Sequence, residues 1–362
     1  MWVNNTAYPF ILLGVKFGVL YEYGLFVAKA VTLVVAFVVV VSTIVGVASK
    51  QKQGKGQLEI VSISEQLKDI TNYAKEVLLD KNALKKLAKE QKKEAKAKSK
   101  TKNKAKDNGE EAEKSRLYVI DFKGSMDANE VEHLREEITA ILCVANKEDE
   151  VLIRLESGGG VVHGYGLAAS QLQRIKEKGL KLTIAVDKVA ASGGYMMACV
   201  ADKLLASQFA YIGSIGVLAQ LPNFNKLLKK NDIEFEQHTA GEFKRTLTIF
   251  GENNDEGRAK FKEEIEEIHV LFKDFVQSQR PEMDIDKVAT GEYWPGIKAK
   301  ALGLVDDITT SDDYILSHYP AREIFSVKYA VKKNVAEKLG MSAASVVERV
   351  FMKTMSKARH WF

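Results

Sequence analysis

The chain has 362 residues, 46% hydrophobic and 28% charged, with 25 Gly, 5 Pro and 2 Cys. That exceeds one typical domain of roughly 150 residues, and it excludes a collagen-like, wholly disordered or disulfide-stapled chain. The net charge of +5 sits in one place: Lys81 to Lys106 holds twelve lysines against Glu90 and Glu94, leaving −5 for the remainder, so the basic balance does not indicate a nucleic-acid-binding domain.

Residues 1–23 read as an N-terminal extension, in which the apolar stretch Pro9–Tyr21 is interrupted by Lys16. Ala30 to Ala48 is then a run of 19 residues without a charge. At about 1.5 Å per residue it nearly covers a ~30 Å hydrocarbon core, which predicts a transmembrane anchor over residues 24–48. A cleaved signal peptide has a shorter apolar core of about 7–15 residues. Lys50, Lys52 and Lys55 follow the run and favour a cytoplasmic position for what comes after. Residues 49–116 read as a basic helical or disordered connector. Leu67–Ala88 has helix-like spacing, and the Lys/Ala run after it has no apolar anchors. Lys81–Lys106 is either a solvated spacer or a strip that contacts anionic lipid, at about 1 kcal/mol per lysine near the surface.

From Leu117 the pattern changes. Leu117–Phe122, Val151–Leu155 and Leu182–Val186 are short apolar runs of the kind that form buried strands, and helix-like segments lie between them at Ala128–Val144 and Tyr165–Glu177. This alternation predicts an α/β domain over 117–331 with a mainly parallel sheet and right-handed crossovers. Further apolar pieces fall at Lys203–Ala206 and Ile212–Leu218, and a charged helix is predicted over Asp255–Gln279. Cys143 and Cys199 lie in apolar helix-like stretches and are expected to be buried free thiols. Residues 332–362 form a tail whose part Ala343–Phe362 is amphipathic, suited equally to subunit packing or to a membrane surface.

Three elements could carry chemistry. Ser157-Gly158-Gly159-Gly160 follows the strand Val151–Leu155, where glycine opens backbone N–H groups to a pocket or simply makes a tight turn. Ser192, in Ala191-Ser192-Gly193-Gly194, stands before a predicted helix at Tyr195–Ala201, as an exposed nucleophile or as a plain N-cap. Lys244, in Gly241-Glu242-Phe243-Lys244-Arg245, is a surface lysine or, if stripped of water, a base. The six histidines have no metal-ligand spacing and there is no phosphate-binding glycine motif, so neither a metal nor another cofactor is expected.

The run AVDKVAASGGYMMACVADKL, Gly213–Val217 (GSIGV) and Gly241–Arg245 (GEFKR) together resemble the S49 peptidases, the signal-peptide-peptidase A-like serine proteases. The resemblance implies a Clp-protease/crotonase-like β-superhelix that assembles into homo-oligomers, and a protease domain on the outer face of the bacterial inner membrane. It implies Ser192 as nucleophile, Lys244 as general base, Ser214 as the residue orienting the lysine, and Gly158, Gly159, Gly160 and Gly193 as the oxyanion hole. Peptides or protein segments would be the substrates. Where the family usually has Ser-Pro-Gly-Gly, this chain has Ser157-Gly158-Gly159-Gly160, a loop with more backbone freedom. His163, beside that loop, is the alternative partner for Ser192 in a triad. A catalytically silent membrane scaffold with a protease-like fold is the rival from another class, and a crotonase-type acyl-CoA enzyme would leave Ser192 and Lys244 idle.

Overall fold

The computed structural model describes residues 24–33, 36, 56–80, 82–83 and 114–330. The chain divides into two compact units, Leu58–Ala330 and a second made of residues 1–57 with 331–362. In the second unit residues 24–33 are helical. Among the described residues no helix is long and apolar enough to cross a membrane. Most of the run 24–48, the Lys81–Lys106 stretch apart from Asn82 and Ala83, and the tail 332–362 lie outside the described residues.

The unit Leu58–Ala330 is built on a seven-stranded sheet in the order β1-β10-β2-β3-β4-β6-β9. Its strands are β1 (Gln57–Ser62), β2 (Arg116–Lys123), β3 (Glu150–Glu156), β4 (Lys181–Val186), β6 (Lys203–Ala206), β9 (Asp307–Ile308) and β10 (Glu323–Ala330). Every pairing from β10 across to β9 is parallel. A smaller sheet joins β5 (Val189–Ala191), β7 (Tyr211–Gly213) and β8 (Tyr293–Pro295), parallel at β5–β7 and antiparallel at β7–β8. The α/β class and the parallel order are as expected from the sequence.

The strands read as unbroken apolar runs because both faces of the large sheet are covered. On one face Tyr118, Ile120, Ile153 and Ile184 pack under α2 (Val131–Val144) and α3 (Val162–Glu177). On the other, Leu117, Val119, Leu152, Ala185 and Leu205 pack with Tyr314 and Ile315 of α9 (Ser311–His318). Each fully buried Leu or Ile contributes on the order of 1.5–3 kcal/mol.

Two expectations need correction. Residues 57–78, read as part of the connector, form β1 at the sheet edge and helix α1 (Ile63–Leu78), with Ile63 and Leu67 packed on the second core; the helix-like spacing from Leu67 is met as far as Leu78, while the strand was not expected. The strand is exposed over most of its length, so it lacks the apolar signature of its buried neighbours. Cys143 is exposed, while Cys199 is buried with its thiol pushed up to about 12 by burial. On α2 the buried positions are Val131, Leu134, Glu137, Ile138 and Ile141, and Cys143 falls about 140° round the helix from Ile138.

A buried carboxyl ties α2 to the end of β10. Glu137 is 5% exposed, and its Oε1 accepts the Tyr329 N–H at 2.7 Å. Burial raises its pKa to about 7, with Asp121 adding to the rise and Lys328 opposing it. The native fold therefore binds this proton more tightly than the unfolded chain. The contribution is full below about pH 4.5 and is lost as pH rises through about 7, a difference on the order of 3 kcal/mol. Glu137→Gln keeps an acceptor without the charge. Its melting temperature should match the wild type near pH 5 and exceed it by several degrees near pH 8; an offset that does not change with pH would contradict this.

Candidate active site

The site begins where β3 leaves the large sheet. Ser157 makes a parallel bridge to Ala190: its N–H donates to Val189 O at 2.9 Å and its carbonyl accepts the Ala191 N–H at 3.0 Å. The glycine loop is thereby stitched to the strand that delivers Ser192, and the two approach too closely for side chains. A Cβ on Gly159, whose φ is +87°, would lie 2.7 Å from both Ala191 O and Gly193 N. A Cβ on Gly160 would lie 1.9 Å from Met126 O, and one on Gly193 would lie 2.5 Å from Tyr165 Cγ. These positions admit only glycine.

Ser192 stands at the entry of the short helix α4 (Gly193–Ala198) with φ 52° and ψ −120°. Its N–H is held by Gly213 O at 2.8 Å and its carbonyl by the Met196 N–H at 3.0 Å. Such a backbone costs roughly 1–3 kcal/mol and persists only where surrounding bonds enforce it. The hydroxyl makes no capping bond to α4. Of the two sequence readings, an N-cap and an exposed nucleophile, the cap is not what this side chain does.

Ser192, Ser214, Gly158, Gly159, Gly160 and Gly193 all line one cleft of about 590 Å³. Its apolar wall is formed by Met126, Val161, Val162 and Met196, with Ile268 and Phe272 from helix α6 (Asp255–Gln279). Ser214 follows β7 directly, with φ 53° and its N–H on Glu292 O at 2.6 Å. Of the apolar piece Ile212–Leu218 only the start is strand: β7 ends at Gly213, where φ of 110° and then the Ser214 backbone turn the chain into the cleft. Gly193 sits in the first turn of α4, where N–H groups have no helical partner, and among the described residues neither its N–H nor that of Gly160 is taken. Gly159 differs from the other loop glycines: its N–H donates to Ser157 Oγ at 3.0 Å, within the loop itself.

Lys244 is not brought to this cleft. It is exposed, does not line the cavity, and belongs to a turn in which its N–H bonds Gly241 O at 3.2 Å. The ring of neighbouring Phe243 lies 5.5 Å from Lys260 Nζ. Lys260 precedes Ile268 of the cleft wall by about 12 Å along α6. His163 is exposed on α3 and does not line the cleft either.

Tyr165, Met126 and Phe272 had no distinguishing mark in the sequence, where each reads as an ordinary helix, loop or core residue. The loop also tests its own geometry. Nothing lies within 4 Å of a Cβ built on Gly158, so Gly158→Ala should be neutral or stabilising by up to about 1 kcal/mol in urea unfolding. Gly160→Ala, driven onto Met126 O, should lose about 1–3 kcal/mol. Equal effects at the two positions would contradict this loop geometry.

Comparison with known proteins supplies the family. Residues 18–172 match the profile of the peptidase family S49 N-terminal region, and residues 174–324 match that of peptidase family S49. The chain is 51% identical over 342 residues to a "Probable protease SohB" of Haemophilus influenzae, an alignment covering 92% of this chain and 97% of the relative. A protein of the same description from Buchnera aphidicola subsp. Schlechtendalia chinensis is 49% identical over 82% of this chain and 98% of the relative. Another, from Buchnera aphidicola subsp. Acyrthosiphon pisum, is 54% identical over 66% of this chain and 71% of the relative. The α/β architecture, with its large parallel and small mixed sheet, fits a Clp-protease-like fold for this family. On these matches the chain belongs to peptidase family S49, and its broad activity is that of a protease.

Proposed function

We propose that the protein is a membrane-anchored serine endopeptidase that cleaves peptides or unfolded, translocated protein segments through an acyl-enzyme, with Ser192 as nucleophile and Lys244 as general base. One observation carries the reading. Ser192 has a strained backbone and a hydroxyl that caps nothing, on the wall of a cleft beside the unpaired N–H groups of Gly160 and Gly193.

In the proposed cycle an uncharged Lys244 amine takes the Ser192 Oγ proton as that oxygen attacks the peptide carbonyl carbon. The carbonyl electron pair moves onto oxygen, where the N–H groups of Gly160 and Gly193 receive it. Collapse breaks the C–N bond, and the leaving amine takes the proton back from Lys244. Water, deprotonated by the same amine, then attacks the Ser192 ester carbon, and as the C–O bond breaks Lys244 returns the proton to Ser192 Oγ, leaving a free carboxyl product. Ser214 orients the lysine amine in this scheme; it lines the same cleft, and its hydroxyl makes no hydrogen bond among the described residues.

The scheme requires Lys244 to reach the cleft and to lose its water, since a hydrated ammonium takes up no proton. Exposed apolar side chains of its own segment, among them Leu218, Phe224, Phe235, Phe243 and Phe250, support assembly with further copies of the chain as the step that does both. Anchoring in the bacterial inner membrane through residues 24–48, lipid contact by Lys81–Lys106 and an outward-facing peptidase unit complete the proposal. The charge-free run Ala30–Ala48 supports the first of these. A catalytically silent scaffold is the second reading, and the exposure of Lys244 outside the cleft is the observation in its favour.

Two measurements test this. With full-length protein and a casein substrate, Ser192→Ala and Lys244→Ala should each reduce cleavage by at least about 10³-fold with little change in melting temperature. Near-full activity in Lys244→Ala would remove the dyad, and an intact, inactive wild type would favour the scaffold. For sidedness, the exposed Cys143 thiol should react with a membrane-impermeant maleimide in intact spheroplasts. Reaction only after lysis would put the peptidase unit on the cytoplasmic side.

A further inference from the structure

The donor and acceptor inventory of the glycine loop fixes the direction of a buried hydrogen-bond chain. Tyr165 is fully buried, and its hydroxyl donates to Ser125 O at 2.8 Å. A tyrosine has one hydroxyl hydrogen, so in its 2.5 Å contact with Ser157 it must accept, and Ser157 must donate. The lone pairs of Ser157 Oγ are then free to receive the Gly159 N–H at 3.0 Å. All bonds therefore run one way, from Gly159 through Ser157 and Tyr165 to Ser125, an arrangement in which each bond polarises the next. The far end is itself held: Ser125 donates to Glu130 Oε2 from both its N–H, at 3.0 Å, and its hydroxyl, at 2.9 Å.

The same tyrosine touches the other half of the cleft. A Cβ on Gly193 would lie 2.5–2.8 Å from Tyr165 Cγ, Cδ2 and Cβ, so the Tyr165 side chain fills the space that a side chain at position 193 would need. One residue of α3 thus packs on Gly193 through its side chain and bears on the Gly158–Gly160 loop through its hydroxyl. Neither contact reaches the open cleft, because Tyr165 is not among the residues that line it.

We propose that Tyr165 is a positioning residue of the cleft, which uses its ring and its hydroxyl, relayed through Ser157, to hold the two N–H donors at Gly160 and Gly193 at one separation and so to set the oxyanion pocket. The proposal rests on the serine-peptidase reading. It differs from a simple core role in what it predicts: removing one oxygen should weaken stabilisation of a tetrahedral oxyanion and leave ground-state binding alone. Burial pushes the Tyr165 hydroxyl above its ordinary range, the Ser157 bond opposing, which keeps it a neutral donor at working pH.

The test is steady-state cleavage of a fluorescent casein peptide by the full-length chain, together with inhibition by a peptide boronate that forms a tetrahedral adduct on serine. Tyr165→Phe should lower kcat roughly 10–100-fold, less than outright loss of an oxyanion donor, with KM within about twofold. The boronate inhibition constant should rise by the same factor. Ser157→Ala breaks the relay but leaves the ring in place, and it should show the same paired loss even if Tyr165→Phe folds poorly. Unchanged kcat in Ser157→Ala, or a fall in kcat with undiminished boronate affinity, would overturn the positioning role while leaving the peptidase reading intact. A folded wild type that neither cleaves the peptide nor binds the boronate would remove both.

Discussion

Two turns from different strands share a volume that has no room for a single extra carbon. Gly159 leans on Ala191, Ser192 and Gly193, and Gly194 would put a Cβ 2.5 Å from Ser157 O. This backbone-on-backbone contact depends on the bridge between Ser157 and Ala190 and on the bond from Ser192 N–H to Gly213 O. Once these are made, the unusual φ of Ser192 is enforced by its neighbours, and its hydroxyl makes no capping bond in its own helix. Strain of this kind is tolerable only because the surrounding cores are rigid.

That rigidity comes from the sheet. The glycine loop leaves the carboxyl end of β3, the end at which parallel α/β sheets present their ligand sites. The amino end of the same strand is clamped by the buried Glu150, which accepts from Thr183 Oγ1 at 2.7 Å, Tyr314 Oη at 2.6 Å and Arg322 Nη1 at 2.7 Å. Burial alone would raise the pKa of this carboxyl; the bonds from Thr183 and Tyr314, with Lys181, bring it below its ordinary value. Polar satisfaction is thus concentrated at one end of β3, and groups left open for chemistry stand at the other. Gly160 and Gly193, whose N–H groups have no acceptor among the described residues, both line the cleft.

The sequence was most legible where both faces of an element are buried. β2, β3, β4 and β6 coincide with the apolar runs to within a residue or two, since a strand covered on both sides must be apolar throughout. Helix α6 matches the predicted Asp255–Gln279. Legibility failed where exposure or backbone geometry decides. β1 is an exposed edge strand, and the β7 run was cut short by the φ values of Gly213 and Ser214. Whether the Ser192 hydroxyl caps its helix depended on where that hydroxyl points, which no spacing encodes. The resemblance named glycines that do line one cleft, but it did not tell that the Gly159 N–H is claimed by a serine two residues earlier. The exposure of Lys244 is likewise a property of the folded single chain, in a segment whose apolar side chains stand open to a partner.

The most direct test is covalent labelling of the full-length wild type with a fluorophosphonate, followed by mass mapping of the modified peptide. A single adduct on Ser192 is the result this structure predicts. An adduct on a different residue, or none on protein that is cleaving casein, would show that the reacting oxygen belongs elsewhere.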